Sequence, residues 1–528
     1  MDLNRLGLLF HTIKYLRFKQ IYYRFYYAFR DRFFKINYNK TLKTSVKPLN
    51  WRDTFMYSYS YKKNQKFEFL NRAYSFSSEI DWNFNAYGKL WTYNLNYFDF
   101  LNEESILMEE GLNLINHYIQ KDKELKDGKE AYPISLRGIN WIKFLSKHSV
   151  SDEEINKALY NHYQILLHNL EYHLLGNHLL ENAYSLFFGA YYFKDETMYS
   201  KATRILRDEL EEQILKDGAH FELSPMYHQI LFNRILDCIM LSELNPWKED
   251  DLVHFLKDKA AKMLSWLREI TFANGNIPMV NDCAYDIAPS SEQLFDYARS
   301  LKIPWNKVPL KESGYRKYCG KNYELFLDAG NIGPDYQPGH AHSDTFSFEL
   351  YLYEKPFIVD VGTSTYEKNE RRQNERQTFS HNTVMVNGMD QSQVWGGFRV
   401  AKRAKIISLK ESVDSISARH DGYASLGVIH ERNFSFKKSI KINDKILVKG
   451  DSKLESQAYF HIHPSIDNIV LDNNQIFYDK MNIALSFEGI INNIWLEEYE
   501  YCLGYNKTEL GQRICIEFSN ELKTTILL

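Results

Sequence analysis

Three short segments of the chain concentrate side chains able to do chemistry. The densest is Gly339-His340-Ala341-His342-Ser343-Asp344, just ahead of the apolar run TFSFELYLY. Side chains alternate along extended backbone, so His340 and His342 face the same way there. Two imidazoles on one face bind a metal together, or one binds metal while the other moves protons. Asp360, closing the run PFIVD, and His381, in SHNTVMVNG, supply further ligand types, and His, His and Asp make a common zinc set. The plainer alternative is a pair of hydrogen-bonded surface histidines. The second segment is GNHLLENAYS (176–185), where Asn177 and Glu181 share a helix face and His178 sits beside them. An Asn-His pair at the end of an apolar helix is poor on propensity grounds and suits either an ordinary cap or a site. The third, DGAHFELSPMYHQ (217–229), opens a helix at Ser224-Pro225 and projects Tyr227 and His228. A tyrosine so placed serves packing or catalysis.

The elements that must position these segments show in the periodicity. From about residue 100 to 305 apolar residues recur at helical spacing, as in YNHYQILLHNLEYHLLGNHLLENAYSLFFGAYYF and DLVHFLKDKAAKMLSWLREI. Turn residues punctuate the run at Lys216-Asp217-Gly218, Asn245-Pro246 and Asn274-Gly275-Asn276. Helices joined by short loops without strands between them form a bundle, a toroid or a solenoid. Near residue 320 the period changes to short β-rich runs, among them ELFLDAG, TFSFELYLY, PFIVDVGTS, NTVMVNG and RICIEFSN. That pattern predicts an antiparallel sandwich, with the boundary around 305–320.

Charge and composition narrow the classes. The 528 residues carry 65 Lys and Arg against 68 Asp and Glu, a net charge of −3, which excludes a generally basic nucleic-acid binder but not a local basic patch. Hydrophobic residues at 44% and charged ones at 25% exclude disorder as a global description. Five cysteines, at 238, 283, 319, 502 and 515, give no CxxC spacing and no disulfide framework, so a reducing compartment is expected. The aromatic content of 15% fits rings that stack on sugars, and fits equally an AT-rich genome. Residues 1–50 hold eleven Lys or Arg against two acidic residues, interleaved with Tyr and Phe. Two readings stand for this amphipathic helix: it lies on an anionic membrane surface, or it docks on its own domain with basic residues outward. The apolar stretch before His11 is too short for a signal-peptide core or a membrane span, so the expected location is cytoplasmic, with peripheral membrane contact through the first helix.

Several ordered motifs together resemble the heparinase II/III-like family of polysaccharide lyases, which includes alginate lyases. They are LWTYNLNYFDFL (90–101), YPISLRGINWIKF (132–144), GNHLLENAYSLFFGAYYF, DGAHFELSPMYHQ, GNIPMVNDCAYDIAPS and the stretch from GHAHSD to FRVAKRA, covering roughly residues 80–410. The resemblance implies an α+β multidomain chain: a basic aromatic lead-in (1–80), an incomplete α/α toroid (81–312) and an antiparallel β-sandwich (313–528). It implies β-elimination on a uronic-acid-containing polysaccharide, with no nucleotide or redox cofactor. By that resemblance Asn177 and His178 contact the uronate carboxylate, Tyr227 and His340 transfer protons, and His342, Asp360 and His381 hold a structural zinc. Glu181 matches a substrate-contacting acid of some members. Motif position and residue type add Tyr93, Asn96, Arg137, Tyr366, Arg371 and Trp395 as expected substrate contacts. Without a signal sequence, the expected polymer is the cell's own capsular or exopolysaccharide. Two rivals remain: a glycoside hydrolase, for which Glu181, Asp217 and Glu222 are available acids, and a non-catalytic polysaccharide-binding or assembly protein.

Overall fold

A computed structural model describes residues 3–527 apart from 35, 39, 43–44, 55–58, 250, 437–438, 450–453, 468 and 479–482. Two helices, α1 (Leu3–Ile13) and α2 (Phe18–Phe33), and a hairpin of β1 (Lys66–Phe69) and β2 (Arg72–Ser75) lead into the helical half. That half comprises α3 (Lys89–Tyr97), α4 (Met108–Gln120), α5 (Ala131–Lys147), α6 (Glu153–His168), α7 (Gly176–Phe193), α8 (Glu196–Gln213), α9 (Pro225–Leu244), α10 (Leu252–Ile270) and α11 (Ser291–Ser300). The helices form two layers for a reason visible in their residues. In α7 every residue but His178 is buried, and α5 and α9 are buried almost all round, as expected of helices that are apolar on every face. By contrast α6, α8 and α10 bury one stripe and show charge outside. Close approach of the layers uses glycine: a Cβ on Gly189 would lie 2.8 Å from the Tyr163 ring, and one on Gly138 2.6 Å from its hydroxyl.

Strands take over from Tyr315: β3 (Tyr315–Cys319), β4 (Tyr323–Asp328), β5 (Phe348–Leu352), β6 (Lys355–Ile358), β7 (Val384–Val386), β8 (Val394–Trp395), β9 (Arg399–Val400), β10 (Ile406–Ser412), β11 (Ser415–His420), β12 (Val428–Ser435), β13 (Ile440–Val448), β14 (Ser456–Ile462), β15 (Val470–Asp472), β16 (Gln475–Tyr478), β17 (Ile483–Gly504) and β18 (Lys507–Leu527). One antiparallel path runs β10-β11-β12-β13-β18-β14-β6-β5-β4-β3, with β7 beside β14 and β17 on the long β18. Its two ends fold over each other. Phe348 of β5 packs on Phe434 of β12, and the Tyr318 ring lies 4.2 Å from that of Phe436, so a single apolar core fills the space between. A helix of one turn and a half, α12 (Glu370–Glu375), lies in the connection between β6 and β7.

The two halves share a core. Tyr315, Phe326, Tyr351, Cys502 and Tyr505 of the strand half belong to the same buried cluster as the toroid helices. His228, at the start of α9, packs against it. It is fully buried over Trp266, accepts from His220 N at 3.2 Å through Nδ1, and meets the Met263 carbonyl at 3.0 Å through Nε2. Burial holds its pKa down at about 3, the Met263 carbonyl recovering part of the drop, so the ring stays neutral in the fold. The unfolded chain takes up a proton near the ordinary value of 6.5 that the native state refuses. Stability is therefore complete above that pH and is lost as pH falls from about 6.5 towards 3, by about 1.4 kcal/mol per unit for this one group. The thermal midpoint should drop between pH 7 and pH 5, and drop less steeply in His228→Gln. A midpoint that is flat over that range contradicts the neutral buried ring.

Candidate active site

Four helix starts and loops meet where the halves join. Ser224 caps α9, its hydroxyl accepting from Tyr227 N at 3.2 Å, and this fixes Tyr227 in the first turn, as the Ser-Pro start leads one to expect. The same hydroxyl donates to the Asp282 carbonyl at 2.6 Å, tying that turn to the loop 281–283. Gly176, with φ +59°, opens α7; a Cβ there would lie 2.6 Å from Glu222 Oε1, so glycine alone lets Asn177 and Glu222 approach. The Asn177 backbone N–H and side-chain amide both donate to Glu222, at 2.9–3.0 Å.

The buried Asp282 carboxylate organises what lies opposite. Its Oδ2 meets His340 Nδ1 at 2.9 Å and its Oδ1 meets His342 Nε2 at 2.9 Å. Arg372 grips both oxygens, at 2.5 and 2.7 Å. Burial opposes the Asp282 charge, but Arg372 and the two imidazoles outweigh it and hold the carboxyl well below the usual range. With Nδ1 anchored, His340 turns Nε2 towards the cleft, 3.5 Å from Asn177 Nδ2 and 3.3 Å from Glu222 Oε2. The Tyr227 ring lies 4.0 Å from the His340 ring, and its hydroxyl is 3.2 Å from that of Tyr366. Burial pushes the Tyr227 phenol up, so it stays protonated at neutral pH. His178 sits on Glu171 at 3.0 Å; burial works against its cation, but Glu171, helped by Glu222 and Glu181, outweighs that and raises its pKa.

Asn177, His178, Tyr227 and His340 thus line one cleft of about 2000 Å³, together with Tyr93, Tyr366 and Arg234. The other expected contacts lie outside it, each for a visible reason. Asn96 is fully buried, donating to the Trp82 and Thr92 carbonyls and accepting from Tyr118. Arg137, also without exposure, donates to the Asn96 carbonyl and lies over the Tyr118 ring. Glu181 stands behind the wall, 3.3 Å from Arg234 Nε. Arg371 pairs with Glu500 at the surface. Trp395 donates to Thr12 of α1 at 3.2 Å. Of the carboxylates available to a hydrolase, Asp217 is consumed by the backbone and side chain of Ser313, and Glu181 and Glu222 are buried and bonded as described. No two of them flank an open space.

The residues expected to hold zinc are divided. The rings of His342 and His381 lie 5.3 Å apart, both without exposure, and His342 Nδ1 and His381 Nε2 each lack a hydrogen-bond partner. Asp360 binds His381 Nδ1 at 2.8 Å, so it stands behind His381 as an orienting carboxylate. Asp344 brings a buried unpartnered Oδ2. Among the described residues no group of three or more His, Cys, Asp or Glu is gathered as a metal cage. The two free imidazole nitrogens are the donors left there for a metal, with His381 oriented by Asp360 and His342 by Asp282.

Sequence reasoning gave no role to Asp282 or Arg372 and treated Glu222 only as a spare acid. The signal for Asp282 was its place in GNIPMVNDCAYD, and that for Arg372 its place beside Arg371.

A helical toroid joined to an antiparallel β-domain, with a cleft at the junction, defines the class. Residues 133–301 match the heparinase II/III N-terminus and residues 302–527 the heparinase II/III-like C-terminal domain. The chain belongs to the heparinase II/III-like family. It is similar to a heparin-sulfate lyase of Bacteroides stercoris, 27% identical over 279 residues that make 47% of this chain and 41% of that protein. A heparin-sulfate lyase of Pedobacter heparinus is 23% identical over 384 residues, 66% of this chain and 54% of that one. The matches thus span about half the length of these relatives. Among solved structures, heparinase III aligns over 86% of this chain and 80% of its own, with a TM-score of 0.63 at 16% identity. A chondroitinase AC lyase aligns over 83% and 75%, with a TM-score of 0.51 at 11% identity. At these identities the likeness is one of fold.

Replacing Asp282 by Asn should leave Arg372 charged, buried and unmatched, at a cost of about 3–5 kcal/mol. The double variant Asp282→Asn/Arg372→Met should recover much of that in urea melts. Additive losses would mean that the pair is not the coupled unit described.

Proposed function

We propose that this protein is a polysaccharide lyase that cleaves a uronic-acid-containing polysaccharide by β-elimination. The observation that carries the reading is the pairing of a phenol, Tyr227, with an anchored imidazole, His340, beside Asn177 and His178 in one cleft. The C5 proton of a uronate is weakly acidic, because its removal loads charge onto a carboxylate that is already negative. His178, whose pKa Glu171 raises, and the Asn177 amide, turning from Glu222, hydrogen-bond that carboxylate and stabilise the enolate-like intermediate, as an oxyanion hole does. His340 Nε2 takes the C5 proton, and the imidazolium so formed lies between Asp282 and Glu222. Tyr227 donates its proton to the departing O4, with Tyr366 completing the phenol's hydrogen bond.

A zinc ion belongs to the same proposal, held by His342 Nδ1 and His381 Nε2 with Asp360 in support. When bound, it supplies a structural cross-link between the loop of His342 and that of His381, keeping His340 aimed. Elemental analysis of protein purified without chelator should find about one zinc per chain, and stripping it should lower the melting temperature. Metal-free protein that melts at the same temperature contradicts the site.

Elimination leaves a conjugated unsaturated uronate that absorbs ultraviolet light, whereas hydrolysis leaves none. Purified protein incubated with a panel of uronate polymers should raise that absorbance. Tyr227→Phe should lower the rate by about 10²–10⁴-fold with an unchanged melting temperature, since only a hydroxyl is lost. Reducing ends released without absorbance, or full turnover in Tyr227→Phe, would remove the mechanism.

A further inference from the structure

The N-terminal helices turn their apolar side outward. Along α2, Phe18, Tyr22, Phe25, Phe29 and Phe33 recur at helical spacing on one face, with exposures from 51% for Tyr22 to 81% for Phe18. Phe10 of α1 adds to the patch at 67%. The inward face is polar: Gln20 donates to the Leu174 carbonyl, Tyr27 to the Leu170 carbonyl, and Arg30 to the His168 carbonyl and Asn169. The pair is firmly held on both halves. Arg17 stacks 3.9 Å from the Tyr336 ring, Arg403 3.8 Å from the Tyr15 ring, and Trp395 bonds Thr12. Exposed phenylalanines in such a row are an interaction surface, because water gains nothing from leaving them bare.

Charge selects the occupant. Arg5, Lys14 and Arg32 stand exposed on these helices, and residues 1–50 contain two acidic residues against eleven basic ones. A second copy of this face would bring like charges together. An anionic lipid surface matches both features, taking aromatic rings at the acyl boundary and basic side chains at the headgroups. No helix among the described residues is long and apolar enough to cross a membrane, so the contact is peripheral. We propose that α1 and α2 dock the protein on an anionic bilayer. Leu9, Ile13 and Phe25 of these helices also line the cleft, so docking sets the cleft's mouth beside the membrane. The polymer acted on is then one presented at that surface. This last step rests on the lyase reading, while the docking does not.

The test therefore uses no polysaccharide. The full chain is floated with vesicles of phosphatidylcholine alone or mixed with phosphatidylglycerol. Binding is expected to the anionic vesicles, weakening as salt rises. Phe18→Ser/Phe29→Ser/Phe33→Ser should bind at least about tenfold more weakly at an unchanged melting temperature. Lys14→Glu/Arg32→Glu, which leaves the aromatic row intact, should lose the preference for anionic lipid. Wild-type protein that stays out of both vesicle types overturns the proposal, as does undiminished binding by the triple serine variant. A dimer that forms without lipid and dissolves in that variant overturns it in favour of a second copy.

Discussion

One buried carboxylate fixes the junction on which the site depends. Asp282 has no exposure, and a lone charge there would be prohibitive without matched donors. Its partners come from three separate stretches of the strand half: His340 and His342 before β5, Thr363 after β6 and Arg372 in α12. Its own loop is tied to the helical half through Ser224, the cap of α9. The interaction therefore exists only when the two halves are docked, and the same contacts aim His340 and fix the turn that carries Tyr227. Neither half assembles the cluster alone. The shared apolar core supplies the stability, and Asp282 supplies the register.

Part of the chain's backbone strain lies at the same place. Leu175, Leu223, Asn281 and Phe346 all have positive φ without being glycine, and each stands within a few residues of Asn177, Glu222, Asp282 or His342. Such conformations persist only where neighbours over-determine them. Here the neighbours are identifiable: Asn281 donates to the Leu223 carbonyl and to Tyr315, and accepts from His342 N. The tight spacing at Gly176 belongs to the same set. Rigid placement before substrate arrives is what an electrostatic mechanism requires, since donors that must reorganise lose their advantage.

The helical period, the switch to strands near residue 320 and the three polar segments were legible in the sequence, because each is a local pattern. Long-range pairing was not. Asn96 and Arg137 look like site residues because polar side chains on apolar helices suggest function. Both are buried inside the helical half, however, where Asn96 bonds Tyr118 and Arg137 reaches the Asn96 carbonyl with one of its nitrogens. Arg371 and Arg372 are adjacent, and α12 turns one to Glu500 and the other to Asp282. Composition cannot make that choice; only the rotation of a short helix does. Asp282 carries no motif of its own, and its role appears when four segments meet around it.

The N-terminal helix shows why patterning alone could not decide its orientation. Its sequence offered a docked helix with basic residues outward or one lying on a membrane; the fold docks the helix, with phenylalanines as well as basic residues outward, and that exposed row is what a membrane surface would meet. α2 crosses the end of α6, where the last carbonyls have no intrahelical partner. His168 is the final residue of α6, and its carbonyl accepts from Arg30; Leu170 and Leu174, just beyond, accept from Tyr27 and Gln20. A helix docking on exposed acceptors must turn its donors inward. With arginine, tyrosine hydroxyl and glutamine committed to those carbonyls, helical geometry leaves the phenylalanines on the opposite face. The outward aromatic row is thus a consequence of where the helix sits, with its polar face on the carbonyls of His168, Leu170 and Leu174.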